Sequence, residues 1–531
     1  MKPIYLFCIT ALIAALILPS GSAAALPGET TIVVNTFTDE YNYSANSTCS
    51  LREAITTAVS DAAFGGCTNV NSGEDTRISL ATGTYEMGSG SLNDDNTSGD
   101  LDIYETAGQA EQITISGAGR TATFIDGNSF DRIFDLNANA IVVLEDLTLT
   151  YGQSQPADSH AGYGGGIFTE GTLTLQDVGV SYCTAGRTGM TAPGGGIYNS
   201  GSLNLYDSRV EWNGTLSASA TLSAGGGGGI YNTGSVNMER SVVSDNTTGN
   251  GGTTTDASAN GGDGAGIYST NTLIIYSSSI SENFAGSSST SMGRGGHGGG
   301  IYNLAFAMIH ESTLYGNQTG RGFKNDGGDG GGIYNGGMLL MYNTSVIRNA
   351  TAYGATGPTD YGKAGDGGGL YSTNSASIYL STFAENTNAT GTPNGNGGGI
   401  YLTGSTRYLN GTIVANNISS GTSVDCYGDL VNSSYNLVEN TTGCTFSGTF
   451  YNNLPGVDPQ LREVQLLGYY LYGFPLSRTS PAVDKVLGCA SDVDQRGAVR
   501  PIDGDGNGSA VCDMGALELG TPFFVPLVRK P

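Results

Sequence analysis

Proline is scarce for a chain so rich in glycine: 15 Pro stand against 85 Gly in 531 residues. Glycine without proline and without a three-residue period is not collagen. Basic residues are scarce as well. There are 21 Lys and Arg against 47 Asp and Glu, a formal charge of −26 at pH 7. That balance argues against nucleic acid and anionic membranes as partners, since both need basic patches. It fits a soluble surface protein or a cation binder. Long apolar runs are missing beyond Ile4 to Leu18, which is short for a spanning helix. With Lys2 before that run and Ala23-Ala24-Ala25 after it, residues 1–25 read as a secretory signal. The mature chain is therefore expected to work outside the cytoplasm, secreted or at the cell surface, with no transmembrane segment.

What the chain has in quantity is one phrase. Gly-Gly-Gly-Ile-Tyr-Asn stands at Gly194 to Asn199, and variants recur with their apolar residue at Ile167, Ile197, Ile230, Ile267, Ile301, Ile333, Leu370 and Ile400. A period of 30 to 37 residues marks a repeat architecture. With that residue as position zero, +8 reads Leu175, Leu205, Met238, Ile275, Ile309, Met341, Ile378 and Tyr408. Position +13 reads Val180, Val210, Val243, Ile280, Leu314, Val346, Phe383 and Ile413. Position +16 is Cys183 and then Asn213, Asn246, Asn283, Asn317, Asn349, Asn386 and Asn416. No copy carries an insertion between 0 and +16, so all length variation falls in one loop per repeat. A linker of Gly, Ser and Thr would show no such columns.

Rigid segments with inward columns at 0, +8 and +13 predict three short strands per repeat, stacked about 4.8 Å apart as in a parallel sheet. The expectation is an all-β protein: a right-handed single-stranded parallel β-helix, a pectin-lyase-like solenoid of nine coils. One earlier, irregular coil fits the register with Leu136 at zero, Leu144 at +8 and Leu149 at +13. Stacked Asn amides satisfy one another at a buried turn. Cys183 ends that column and reads as a buried free thiol. The other six cysteines outside the signal form close pairs, and proximity suggests disulfides Cys49–Cys67, Cys426–Cys444 and Cys489–Cys512. The pattern Gly-Gly-Gly-Ile with Val-x-x-Asn resembles the repeats of chlamydial polymorphic outer membrane proteins, which implies a surface adhesin.

The two ends differ from the middle. Ser50-Leu51-Arg52-Glu53 is a capping box, and Leu51, Ala54, Ile55, Ala58 and Val59 make one apolar helix face, as a cap on an open solenoid end needs. Thr48 to Ile55, Thr-Cys-Ser-Leu-Arg-Glu-Ala-Ile, resembles the signature of the CSLREA domain. That implies an N-terminal module of secreted bacterial β-helix proteins. Asp494-Gln-Arg-Gly-Ala-Val-Arg-Pro, Asp503-Gly-Asp-Gly-Asn-Gly and Cys512 to Glu518 resemble the choice-of-anchor Q domain, which implies a surface-protein module. The expected divisions are 1–25 signal, 26–110 CSLREA-like cap, 111–424 β-helix with eight clear repeats, 425–520 disulfide-bearing C-terminal cap and 521–531 a short apolar-basic tail. The tail is too short to span a bilayer and carries no sortase-type motif.

Three patterns carry candidate chemistry. Asp503, Asp505 and Asn507 alternate before Gly508, as in the first half of a calcium loop, with Asp513 or Glu518 as completing carboxylates. The alternative there is an acidic glycine turn. The column four residues before zero reads Asp263, His297, Asp329 and Asp366 in four adjacent coils, with Arg294 and Lys363 three residues earlier in theirs. Such a stack suits a glycosidase pair, a cation site or, with the basic residues, a lyase. The favoured alternative is that Asp and Asn cap tight glycine turns. Gly-His-Gly at His297 lacks the paired-Asp and Arg-x-Lys motifs that accompany it in polygalacturonases. The +1 column, Phe168, Tyr198, Tyr231, Tyr268, Tyr302, Tyr334, Tyr371 and Tyr401, is either a sugar-stacking stripe or, preferably, a structural ring ladder. The expected function is a binding, adhesive or structural role towards carbohydrate or another cell-surface ligand. The alternative is a polysaccharide lyase or glycoside hydrolase acting from the loop face.

Overall fold

A computed structural model describes residues 28–520, except 69–73, 89–94, 106–110, 156–159, 161, 188–189, 220, 254–258, 290–291, 324, 355–361, 390–393, 420–424, 432, 449–450 and 469. The expected signal segment 1–25 and the tail 521–531 lie outside the described residues.

Each coil contributes three strands. In the coil of Ile301 they are Ile301–Asn303, Phe306–His310 and Thr313–Tyr315. Equivalent strands pair in parallel and in register from coil to coil, Ile267 beside Ile301 beside Ile333. Three long parallel sheets result, of 12, 12 and 13 strands among the described residues. The fold is an all-β, right-handed parallel β-helix. Its core is the expected set of columns plus +6. Ile301, Ala307, Ile309 and Leu314 are all fully buried, each large side chain adding about 1.5–3 kcal/mol of burial.

The turns follow from backbone geometry. Positions +10 and +15 take positive φ in coil after coil, as at Glu311 (50°) and Glu282 (52°). In the glycine triplet only the first residue is left-handed, with φ +60° at Gly298. The third lacks space: a Cβ on Gly300 would lie 2.7 Å from the Gly332 carbonyl.

The Asn column is a continuous buried ladder. Asn283 Nδ2 donates to Asn317 Oδ1 at 2.9 Å and to the Val243 carbonyl at 3.0 Å, while its Oδ1 accepts the Asn246 amide at 3.0 Å. Cys183 closes its N-terminal end, buried and free, its amide donating to Asn213 Oδ1 at 2.9 Å. Burial pushes that thiol up to about 12, so it is inert. Two further polar columns were not foreseen. At +2, Asn303 Nδ2 donates to Asn335 Oδ1 at 2.8 Å. At +11, the Ser241 amide donates to Ser278 Oγ at 3.0 Å.

Two register expectations are corrected. In the last clear repeat Ile378 pairs with Leu409 and Phe383 with Val414, and Asn386 bonds Asn417 rather than Asn416. One residue is inserted between Leu402 and Arg407, so Tyr408 and Ile413 leave the core columns. In the irregular coil Phe134, not Leu136, stands beside Ile167. The coils also number more than nine. The sheets start at Thr30–Val33 and run to Leu454–Pro455, so strands continue beyond 111 and 424 on both sides.

The N-terminal helix, Leu51–Ser60 (α1), carries the expected capping box. Ser50 Oγ accepts the Glu53 amide at 3.1 Å, and Glu53 Oε2 accepts the Ser50 amide at 3.2 Å. Leu51, Ala54, Ile55 and Ala58 join the solenoid core. The chain after Pro455 folds back as a lobe along the third sheet rather than over its end. Tyr472 stacks on Tyr315 with centroids 4.7 Å apart, and Gln495 bonds Thr313. The three disulfides join the expected pairs. Among the described residues no helix is long and apolar enough to cross a membrane.

Candidate functional site

The variable loops return to the core just before the glycine triplet, along one edge of the sheet formed by the zero strands. There the column at −4 makes a side-chain ladder of its own. Each side chain accepts the backbone amide of the equivalent residue one coil on. The His297 amide donates to Asp263 Oδ1, the Asp329 amide to His297 Nδ1, the Asp366 amide to Asp329 Oδ1 and the Asn396 amide to Asp366 Oδ1, each at 2.7 Å. These bonds satisfy turn amides that the glycines leave without a strand partner. The structure thus brings Asp263, His297, Asp329 and Asp366 together and gives all four the turn-capping role.

A second column, at −7, runs beside the first. It reads Asn260, Arg294, Asp326 and Lys363. Asn260 Oδ1 accepts the Arg294 amide at 3.0 Å, and Asp326 Oδ1 accepts the Lys363 amide at 2.8 Å. Asn260 and Asp326 were missed in the sequence. They stand seven residues before zero, a column that shows only when the loops are aligned backward from zero. The cations span the two columns: Arg294 forks onto Asp263 at 2.8 and 2.9 Å, and Lys363 bonds Asp366.

The two columns wall a hollow of about 400 Å³ whose lining includes Asn260, Arg294, His297, Asp329, Lys363 and Tyr371. Two of its titratable groups are shifted in opposite senses. Burial, helped by the Arg294 charge, holds His297 down to about 4. The neutral ring follows also from geometry, because Nδ1 accepts the Asp329 amide and leaves the proton on Nε2. Asp329 Oδ2, 3.6 Å from Nδ1, is therefore not an ion-pair partner. Burial raises Asp329 to about 7, and burial also raises Asp366, against the Lys363 contact that lowers it. The hollow therefore offers an imidazole N–H, a carboxyl that exchanges its proton near neutrality, amides and two neutralised cations.

The aromatic column stands beside this edge. From Phe168 to Tyr427 its rings stack in one unbroken series, with centroids 4.6 to 5.3 Å apart. Neighbouring rings cover one another's faces, so the column is the ring ladder. His297 extends it sideways, stacked 4.8 Å from Tyr334.

The acidic loop at the C-terminal end closes on itself. Asp503 accepts the amides of Gly506, Asn507 and Gly508. Asn507 uses Nδ2 on Asp505 and Oδ1 on the Ser509 amide. The carboxylate that joins Asp503 and Asp505 is Asp484. Asp513 and Glu518, expected as completing ligands, lie instead in the buried core of the lobe. There Glu518 is 3.4 Å from Arg500, and Arg500 donates to the Asp513 and Gly515 carbonyls.

No family model matches the chain, and no curated protein matches it. Among solved structures it is similar to the Azotobacter vinelandii mannuronan C-5 epimerase AlgE6 A-module, at 11% identity and a TM-score of 0.30, covering 79% of this chain and 98% of that one.

Proposed function

We propose that this is a secreted or surface-attached β-helix protein that binds a neutral glycan in the hollow between the −7 and −4 columns. One observation carries the reading. Side chains of Asn260, Arg294, His297, Asp329, Lys363 and Tyr371 surround about 400 Å³ of open space, a volume within the usual range for ligand sites. Amide, carboxyl, guanidinium and phenol groups suit sugar hydroxyls. Both cations are already paired with carboxylates, and the chain carries −26 overall, so a polyanionic ligand would be repelled. Three disulfides and the N-terminal signal pattern support the extracellular setting. The CSLREA-like and anchor-like segments support surface attachment.

A second reading rests on Asp329. A half-buried carboxyl held near 7 is what a general acid needs to protonate a glycosidic oxygen at neutral pH. A glycan array followed by reducing-end release assays separates the two. Binding is expected to neutral glycans, weakened at least tenfold in Asn260→Ala and Lys363→Ala, without release of reducing ends. Release by the wild type that is lost in Asp329→Asn would make the protein a glycoside hydrolase. Binding confined to acidic polysaccharides would overturn the assigned ligand class.

A further inference from the structure

The outward column that is aromatic from Phe168 onward changes character in the coils before it. Asp102 stands beside Asp135, and Asp135 beside Phe168, in strict register. Both carboxylates are buried, as is Asp100. One oxygen from each of the three lies within 4.8 Å of the others.

Arg132, fully buried, has its Nε 2.7 Å from Asp100 Oδ2 and 3.7 Å from Asp135 Oδ2. His160 reaches Asp135 Oδ2 at 2.9 Å and stacks on Phe168. Arg52 forks onto Asp39 and gives its remaining bonds to the Asn96, Gly99 and Asp100 carbonyls. Asp131, beside Arg132, adds a fourth carboxylate. The decisive atom is Oδ1 of Asp135. Among the described residues it has no hydrogen-bond partner, in a side chain with no exposure at all. A buried acceptor left without a donor costs about 1–3 kcal/mol, more for a charged group, unless something cationic meets it.

We propose that Asp100, Asp102 and Asp135 bind a calcium ion that fastens the N-terminal coil to the β-helix. Hard oxygen donors without sulfur suit calcium, magnesium or manganese rather than the softer transition metals. Magnesium seldom occupies a dedicated all-protein cage, because it keeps much of its water. The ion sits where it joins three elements. Asp102 and Asp135 lie on adjacent coils, and Asn96, whose amide caps Asp102 Oδ2 at 2.8 Å, bonds the Arg52 carbonyl and Thr56 hydroxyl of α1. A cation bound only in the folded state raises stability in proportion to its occupancy.

The test uses the full mature chain after exhaustive chelation. Calorimetric titration with calcium should show uptake and a higher unfolding midpoint. Asp135→Asn should weaken that uptake at least tenfold, whereas Asp505→Asn, in the other acidic cluster, should leave this site unchanged. No uptake by the wild type, or full uptake by Asp135→Asn, overturns the proposal. Should Asp135→Asn fail to fold, calcium anomalous scattering from wild-type crystals decides. Density between the three carboxylates supports the site, and density confined to Asp484, Asp503 and Asp505, or none, refutes it.

Discussion

At the scale of single residues the −4 ladder makes a signed pH prediction. Burial raises Asp329 from the ordinary 3.8 to about 7, so between about pH 4 and 7 the folded state holds a proton that the unfolded state has lost. Its contribution is present below the unfolded value and lost as pH rises through the folded one. His297 is lowered from 6.5 to about 4, so over pH 4 to 6.5 the unfolded state binds the extra proton and stability rises with pH. In the wild type the two slopes oppose each other. Asp329→Asn keeps the acceptor for the Asp366 amide and removes only the falling slope. The gain in stability from pH 4.5 to 6.5 should then exceed that of the wild type by up to about 3 kcal/mol. Urea midpoints at the two pH values read it directly, and equal differences in the two proteins would refute the shift at Asp329. The column itself was legible in the sequence, because loop lengths vary only upstream of it. That each side chain serves the next coil rather than its own was not, since single-coil turn chemistry and cross-coil chemistry select the same residue types.

At the scale of the element, the glycine triplet divides its labour. The first glycine is conformational and the third is steric, as Gly298 and Gly300 show. The second is crowded too, a Cβ on Gly299 meeting the Gln318 backbone at 2.5 Å, yet the coil of Ile267 carries Ala265 at this position. A coil therefore relaxes around a methyl there. Gly300→Ala should cost about 1–3 kcal/mol, as overpacking in a tight interior does, and Gly299→Ala should cost less. Denaturant midpoints that place Gly299→Ala at or above Gly300→Ala would sink that ranking. The same element shows where reading a sequence by columns fails. Tyr408 and Leu409 are both acceptable core residues, and Asn416 and Asn417 are both acceptable rungs, so an inserted residue before Arg407 leaves no trace in composition. Phe134 and Leu136 pose the same ambiguity two residues apart on one strand. The carboxylates at Asp100, Asp102 and Asp135 were invisible for a related reason: their coils lack the glycine-rich phrase that marks the coils of Ile167 to Ile400.

At the scale of the molecule, a solenoid is only as cooperative as its nearest-neighbour contacts, since each coil touches the coils above and below. The C-terminal lobe breaks that rule. It reads the hydroxyls at +12 of three successive coils: Gln495 Nε2 donates to Thr313 Oγ1 at 2.8 Å, Gln495 Oε1 accepts from Ser345 Oγ at 2.6 Å, and the Ala516 amide donates to Thr382 Oγ1 at 3.0 Å. Phe474 packs on Ile347 and Ala384 of two of those coils. The lobe is thus a brace along the third sheet, on a different face from the hollow, and it couples coils that otherwise communicate only in sequence. Gln495→Ala removes the central strut and leaves Ser345 Oγ without that partner, at about 1–3 kcal/mol for a buried group left unsatisfied, while Thr313 Oγ1 keeps its bonds to Tyr472 and the Ser312 carbonyl keeps the Ser345 amide. The loss should be local. Native-state hydrogen exchange in the full chain should quicken at Gln465–Gly468, at Leu471–Gly473 and at Thr313–Tyr315, while Thr148–Thr150, far down the stack, keeps its protection. The denaturant transition should broaden as the lobe opens ahead of the coils. Exchange that quickens equally in every coil would mean that the lobe does not brace particular coils, and that the solenoid unfolds as one unit whether or not the strut is present.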